Sequence, residues 1–316
     1  MKKIIIVLIG AMAALPLGAR EAATVHETAA EQATATAQEA ATVQEAAADR
    51  EAVETVLRPV TSAYTLSVGS SSSCDTYLSP LTYKGWSVGL GYERMQAMKF
   101  DPENFVMQLQ FGADLTRGLN PAKNAYMFGF ELRADWGMMR RWRLPVPGLT
   151  LALGGSTSLS GGALYKSRPG NNPVSAKAAW TVNLTGYAAW NVRLGRLPVT
   201  LRYQPELPLL GVFFSPQYDE LYYEIYLGNR RDLAHFAYPG SRFCMTNCLT
   251  ADLHFGSTAL RIGYRGTILS SRANNLTTNL TTNAFVIGIS GEWISLNPSR
   301  SLSEQTIRTI SALYEN

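Results

Sequence analysis

The sequence predicts an all-β protein, an antiparallel up-and-down transmembrane β-barrel of 10 to 12 strands. Three observations support this fold class. Apolar and polar residues alternate over long stretches, aromatic residues recur ten positions apart on the apolar face, and short turns alternate with longer connections along the chain. Alternation with a period of two is typical of a strand that has one apolar and one polar face.

The N-terminus predicts export from the cytoplasm. Lys2 and Lys3 precede an apolar stretch at 4–15, and small residues follow as far as Ala19. This arrangement is typical of a secretory signal peptide over 1–19, and the apolar stretch is shorter than the roughly 20 residues of a transmembrane helix. No later segment of the sequence is continuously apolar over that length, so insertion into a membrane would require a barrel.

Three further regions follow the signal peptide. Residues 20–57 are rich in Ala, Glu and Thr, which predicts a periplasmic linker. The barrel is predicted over 58–298. A periplasmic tail is predicted over 299–316, where apolar residues at helical spacing indicate either a short helix or a frayed end. The formal net charge is +4, and Lys2 and Lys3 leave with the signal peptide, so no nucleic-acid partner is predicted.

Connection lengths set the direction of ten predicted strands. The strands lie near 62–70, 85–95, 104–116, 124–137, 148–160, 178–195, 198–207, 249–256, 258–270 and 282–296. If the first strand starts in the periplasm, the two shortest turns are periplasmic. The longer connections then fall outside, as in outer-membrane barrels; they are 70–84, 161–177, 208–248 and 271–281. Connection 208–248 is long enough to hold another hairpin, which would give twelve strands.

Aromatic residues at fixed spacing predict the membrane boundaries. Trp180 and Trp190 lie ten positions apart on one face, as do Tyr126 and Trp136. Ten steps of about 3.3 Å span roughly 33 Å, and strand tilt reduces this to about 25 Å along the membrane normal, the height of the apolar band of such barrels. With Trp293, these residues form the predicted aromatic girdle. The alternative is a soluble barrel with long strands.

The opposite face of the strands carries the charges. The predicted inward residues are Glu131, Arg133, Asp135, Arg193, Arg202, Asp252, His254, Arg261, Arg265 and Glu292. In a lumen this narrow, opposite charges should pair and fill it, with Glu131 and Glu292 serving Arg133, Arg261 and Arg265 in one network. The alternative is a small-solute or ion path, or a ligand cavity, lined by the arginines.

Two cysteines lie close together in the segment "CMTNC". Cys244 and Cys248 predict either a small disulfide loop or free thiols. A metal site would need a second pair of Cys or His residues nearby, so no metal and no cofactor is predicted.

Two other functions compete with a passive barrel. The segment "DLHFGS" offers Asp252, His254 and Ser257 to an outer-membrane hydrolase, but Ser257 points away from the other two if the strand continues. The aromatic connection 208–248 would suit a surface-interaction protein that binds an extracellular ligand. It could instead fold inward as a plug.

Three blocks carry a family resemblance: "LPLLGVFFSPQYDELYYEIYLG", "TADLHFGSTALRIGYRGTILSS" and "FVIGISGEWISLNP". Over roughly 62–298 the chain resembles an uncharacterised outer-membrane β-barrel family of Bacteroidetes, a domain of unknown function. The resemblance implies an exported barrel and supplies no catalytic residues. The chain departs from many barrels because a tail follows its last strand, where they end on an aromatic residue that serves as an insertion signal.

The sequence therefore predicts an outer-membrane barrel with a structural, ligand-binding or narrow-permeation role and no enzymatic activity. Surface interaction or adhesion is the first alternative, and hydrolysis is the second. The predicted partners are outer-membrane lipid and, during insertion, the barrel-assembly machinery.

Overall fold

The computed structural model describes residues 55–167, 173–218, 220–229, 231–294 and 307–314. The predicted signal peptide and most of the predicted linker lie outside these residues. The chain divides into two compact units, of which one comprises residues 56–301 and 307–316 and is described below. The other unit contributes only Thr55 to the described residues.

Long antiparallel strands dominate the described residues. They are β1 (Thr55–Leu57), β2 (Val60–Asp75), β3 (Ser79–Ala97), β4 (Phe105–Leu119), β5 (Tyr126–Arg143), β6 (Leu149–Lys166), β7 (Val174–Leu194), β8 (Leu197–Phe214), β9 (Ala234–Ala237), β10 (Arg242–Phe255), β11 (Thr258–Ala273), β12 (Leu276–Trp293) and β13 (Ile307–Thr309). One short helix, α1, spans Tyr222–Tyr226. No helix among the described residues is long and apolar enough to cross a membrane.

Ten of these strands close into a barrel. Strands β2 to β8 pair in sequence order, β10, β11 and β12 follow, β12 pairs with β2, and β10 pairs with β8. The prediction of an antiparallel up-and-down barrel is confirmed. The twelve-strand alternative is wrong, because connection 215–241 contains α1 and the four-residue β9 instead of a wall hairpin.

The two ends of the barrel differ in their connections. The terminal end carries the start of β2, the end of β12 and connections 98–104, 144–148, 195–196 and 256–257. The loop end carries connections 76–78, 120–125, 167–173, 215–241 and 274–275. Gly195 and Gly256 adopt φ values of 65° and 72° in the two shortest terminal-end turns, a conformation that glycine tolerates best.

Two of the long loop-end connections predicted from the sequence are wrong. The predicted connections 70–84 and 271–281 shrink to 76–78 and 274–275, because the flanking strands continue through segments rich in Ser and Thr. Ser and Thr can continue a strand that has no apolar face, and the β-branched side chain of Thr favours strands. At the tip, Asn274 and Asn275 have φ values of 50° and 59°, as a tight hairpin turn requires.

The two faces of the wall have opposite polarity. Large apolar side chains point outward and remain exposed, as at Leu90, Leu132 and Ile289. Charged and polar side chains point inward and are buried, as at Asp252 and Arg261. The predicted girdle residues all share the outward face: Tyr126, Trp136, Trp180, Trp190 and Trp293.

The C-terminal segment does not form the predicted short helix in its described part. Residues 307–309 form β13, which pairs with β1 in a separate two-stranded sheet. Beyond it, Ile310, Ala312, Leu313 and Tyr314 are buried. The frayed-end alternative is also wrong for these residues, because their apolar side chains gain more by burial inside the barrel than by either arrangement in solvent.

Candidate functional site

The centre of the lumen is an ion cluster built around Glu93. Arg202 Nη2 lies 2.7 Å from Glu93 Oε2, and Arg261 Nη1 lies 2.5 Å from the same oxygen. Arg261 also forms a two-point contact with Asp252, with Nε–Oδ1 and Nη2–Oδ2 distances of 2.7 Å. Gln108 donates to Glu93 Oε1 at 2.5 Å. Each charge therefore has an opposite partner, as buried charges require.

Two further ion pairs lie nearer the loop end. Arg133 Nε is 3.0 Å from Asp135 Oδ2, two residues along the same strand. Arg265 pairs with Asp114 across the lumen. Glu131 lines a cavity of about 90 Å³ with these two arginines and Arg242. The inward charges thus form several linked pairs along the barrel axis.

The C-terminal segment 310–314, which we name the tail plug, occupies part of the terminal end of the lumen, beside a cavity of about 460 Å³ that Thr200, His254 and Tyr314 line. Ala312, Leu313 and Tyr314 pack in one apolar cluster with inward residues of five strands. Those residues are Met95, Val106, Met139, Ala152, Tyr187 and Ala189. Contacts with five of the ten wall strands make the tail plug part of the barrel core.

Hydrogen bonds fix the tail plug in place. The Tyr314 hydroxyl donates to Asp252 Oδ2 at 2.8 Å and lies 3.0 Å from Ser290 Oγ. Arg141 Nη1 donates to the carbonyls of Ser311 at 2.6 Å and Ala312 at 3.2 Å. Burial, and then the charge of Asp252, raises the pKa of the Tyr314 phenol above its ordinary range, so the hydroxyl stays protonated and keeps donating.

The loop end of the lumen is also obstructed. The inward side chains of Tyr83, Met127 and Leu164 form an apolar cluster against which Tyr77 packs. The Tyr77 hydroxyl donates to the carbonyl of Glu220 at 2.8 Å, which ties connection 215–241 to the barrel mouth. Burial raises the pKa of Tyr77 above its ordinary range, so this donor is protonated at any physiological pH.

The structure brings together only part of the predicted inward set. Arg202, Asp252 and Arg261 meet in the central cluster, Arg133 pairs with Asp135, and Arg265 and Glu131 lie in the same half of the lumen. Arg193 is exposed at the terminal rim. The predicted ion pairing of Glu292 with the lumen arginines is wrong. Glu292 instead accepts hydrogen bonds from Thr61 and Ser311 at the terminal end.

The predicted disulfide is wrong. Cys244 and Cys248 are free and lie in one extended strand, β10. Four residues along a strand span about 13 Å, whereas bridged cysteines have Cα atoms about 4.4–6.8 Å apart. The free-thiol alternative agrees with the structure. Within the described ranges, no group of three His, Cys, Asp or Glu side chains could hold a metal ion.

The three residues of the hydrolase alternative do not come together as a catalytic group would. Asp252 is bound by Arg261 and Tyr314. His254 Nε2 lies 2.9 Å from Thr200 Oγ1, and its ring stacks edge-on against Tyr314. Ser257 is exposed in the turn between β10 and β11. Asp252 is thus engaged by Arg261 and Tyr314, and the hydroxyl that contacts His254 belongs to Thr200 and not to Ser257.

Sequence reasoning missed Glu93, Asp114 and Tyr314. Glu93 is the only charged residue on the inward face of its strand between Gly89 and Met95, and that face starts with two glycines that hide the alternation. A search for single carboxylates on glycine-rich strands could have found it. Tyr314 gave no signal, because nothing in a C-terminal sequence shows that it returns into the lumen.

Three solved outer-membrane structures resemble this fold. The protease OmpT from Escherichia coli has 7% identity and a TM-score of 0.43, covering 74% of this chain and 97% of OmpT. The translocator domain of the autotransporter NalP from Neisseria meningitidis has 14% identity and a score of 0.35, covering 83% and 98%. An outer membrane channel from Pseudomonas putida F1 has 9% identity and a score of 0.32, covering 75% and 96%. Sequence identities and TM-scores this low identify neither a shared activity nor a shared site.

Sequence comparison gives the family. No functionally curated protein matches the chain. The model of the family described as "Protein of unknown function (DUF3316)" matches residues 31–300, which include all ten wall strands. The chain therefore belongs to the DUF3316 family.

Proposed function

We propose that this chain is an integral barrel of the outer membrane with a closed lumen and a structural, non-enzymatic role. The polarity of the wall carries this proposal. Leu90, Leu159 and Ile289 are each more than 60% exposed on the outer face, while Asp252 and Arg261 are almost fully buried inside. In water this arrangement would expose a continuous apolar surface. In a bilayer it is the stable one, since lipid covers the apolar face and the closed ladder satisfies the backbone.

The closed lumen supports a structural role over permeation. The tail plug obstructs the terminal end, the cluster around Tyr83 obstructs the loop end, and ion pairs occupy the centre. We therefore expect the purified protein to be electrically silent in planar bilayers.

Its partners in this proposal are outer-membrane lipid and, during insertion, the barrel-assembly machinery. An origin in Bacteroidetes, implied by the family resemblance, stays a prediction.

Cell fractionation and gel mobility test the membrane proposal. We expect the mature chain to begin near Arg20, to fractionate with the outer membrane and to migrate faster on gels before boiling than after it. The mobility shift follows because a closed barrel resists detergent until it is heated. A variant with Pro at Ile287, in the middle of β12, should lose the shift because proline removes a ladder hydrogen bond. Recovery of the unaltered chain in the soluble periplasm without detergent would refute the proposal.

Exposed aromatic residues favour recognition of a surface ligand as a second candidate function. Tyr223 and Tyr226 in α1 and Phe236 in β9 are 67%, 81% and 63% exposed. Aromatic side chains that protrude from a rigid scaffold are enriched at binding sites. For this function the loop end must face the outside of the cell.

Labelling of intact cells tests that orientation. With Cys74, Cys244 and Cys248 replaced by serine, Tyr226→Cys should react with a membrane-impermeant maleimide on whole cells. The matched variant Ser257→Cys, exposed at the terminal end, should react only after the outer membrane is permeabilised. The reverse pattern would place the loop end in the periplasm and exclude surface recognition by these residues.

A further inference from the structure

A small chamber lies in the middle of the lumen, directly beyond the tail plug. Its volume is about 90 Å³, room for roughly three water molecules at about 30 Å³ each. Four guanidinium groups line it, those of Arg133, Arg202, Arg261 and Arg265, against the two carboxylates of Glu93 and Glu206. Three of these arginines are also paired with carboxylates outside the lining: Arg261 with Asp252, Arg265 with Asp114 and Arg133 with Asp135.

One buried hydrogen-bond donor of the arginines around the chamber has no partner in the described part of the chain. Glu93 accepts from Arg202, Arg261 and Gln108. Glu206 Oε1 accepts from Asn183 at 2.6 Å and from Ser156 at 3.2 Å. In contrast, the buried Nε of Arg265 has no hydrogen-bond partner among the described residues. A buried donor without a partner is costly, so an acceptor within its reach would be stabilising.

The tail plug separates this chamber from the terminal end. Tyr314 binds Asp252, and Asp252 binds Arg261, which lines the chamber. Cys248 also lines the chamber, four residues deeper along β10 than Asp252, or about 13 Å. A solute that reaches Cys248 from the terminal end must therefore pass Tyr314 and then the ion pairs of Asp252 with Arg261 and of Glu93 with Arg202.

We propose that the chamber binds a small oxyanion and that the tail plug is the lid that controls its entry from the terminal end. Guanidinium groups suit oxyanions because their planar N–H donors match the geometry of paired oxygens. The lid is held by the Tyr314 hydroxyl on Asp252, by the contacts of Arg141 and Tyr187 with its carbonyls, and by its packing in the apolar cluster. This inference rests on the closed lumen of the proposed function and adds a ligand class and a means of entry.

The native thiol of Cys248 provides the test. In a Cys74→Ser, Cys244→Ser background, detergent-folded protein is treated with two methanethiosulfonates of similar size, one with a sulfonate and one with a trimethylammonium group. The Cys248 thiolate attacks the reagent sulfur, forms a mixed disulfide and releases methanesulfinate. We expect slow reaction with the lid in place. Tyr314→Ala should react about 100-fold faster, since it loses a buried aromatic side chain, and Tyr314→Phe about tenfold faster, since it loses only the hydroxyl contacts.

Charge preference and competition test the ligand class. In Tyr314→Phe the sulfonate reagent should react faster than the cationic one, and Arg265→Gln in that background should reduce the preference. Inorganic phosphate should slow the reaction more than chloride at equal ionic strength. Heat-dependent gel mobility verifies that each variant is folded, and Tyr264→Phe, on the outward face, is the matched control.

Two results would overturn the inference. Reaction of Cys248 at the original rate in folded Tyr314→Ala would show that the tail plug is no lid. Faster reaction with the cationic reagent, or no protection by phosphate, would show that the chamber does not select oxyanions. Because the measurement uses detergent-folded protein, it is independent of fractionation, and a failure of the membrane proposal would be seen separately.

Discussion

Replacing Glu93 with glutamine is expected to lower the free energy of unfolding by about 3–5 kcal/mol. Glu93 is buried and is the shared partner of Arg202 and Arg261, at 2.7 and 2.5 Å. The substitution keeps the size of the side chain and removes its charge. Two guanidinium groups then remain buried, and among the described residues Asp252 is the one acid in direct contact with either of them. An uncompensated buried charge is the costly species.

The measurement is reversible unfolding in lipid vesicles, or folded yield by gel mobility where unfolding is irreversible. Glu103→Gln is the matched control, because Glu103 pairs with Arg308 at 2.6 Å but both side chains are about half exposed. That change should cost at most about 1 kcal/mol. In a double-mutant cycle, Glu93→Gln with Arg202→Gln should cost less than the sum of the single changes. Strict additivity would show that the two charges do not interact.

Arginine at position 184 is expected to destabilise the barrel by about 2–4 kcal/mol if the wall lies in a bilayer. Leu184 points outward, about midway between Trp180 and Trp190 on the same face of β7. Its neighbour Thr185 points inward and is 3% exposed, and it pairs in register with Glu206. Arginine at position 185 would therefore lie beside a carboxylate and should cost less than arginine at position 184.

The same unfolding or yield measurement compares Leu184→Arg with Thr185→Arg. Leu184→Gln and Thr185→Gln control for side-chain length without the charge. If Thr185→Arg were much worse than Leu184→Arg relative to these controls, the outward face would be in water. That result would indicate a soluble barrel and contradict the membrane proposal.

Alternation predicted ten wall strands, with twelve left open by connection 208–248, and the direction of their side chains. In β5, for example, the outward set from Tyr126 to Trp136 and the inward set with Glu131 and Arg133 are as predicted. This succeeds because a strand has a period of two and one residue of slip would invert both faces. Strand ends were less predictable, since polar Ser and Thr segments continue the ladder without an apolar signal.

The pairing of charges across the lumen could not be predicted. Which carboxylate meets which arginine depends on the stagger of strands that are distant in sequence. Arg261 contacts Glu93 across the barrel, 168 positions away in the chain, while Glu292, on the neighbouring strand β12, contacts Thr61 and Ser311. The tail was misjudged for a related reason. The spacing of Ile307, Ile310 and Leu313 fits a helix, but a cavity formed by other strands decides its conformation.

The short strand β9 has a consequence for how this architecture can diversify. β8 pairs with β10 only over Val199–Glu206. Beyond that segment, Gly211–Phe214 of β8 pairs with β9 instead. The wall is therefore closed before connection 215–241 begins to diverge from it. Insertions or deletions between β9 and α1 would leave the stagger of all ten strands unchanged, as at other surface loops that accept length variation. The fold thus permits this segment to change in length while the barrel and its buried charges stay the same.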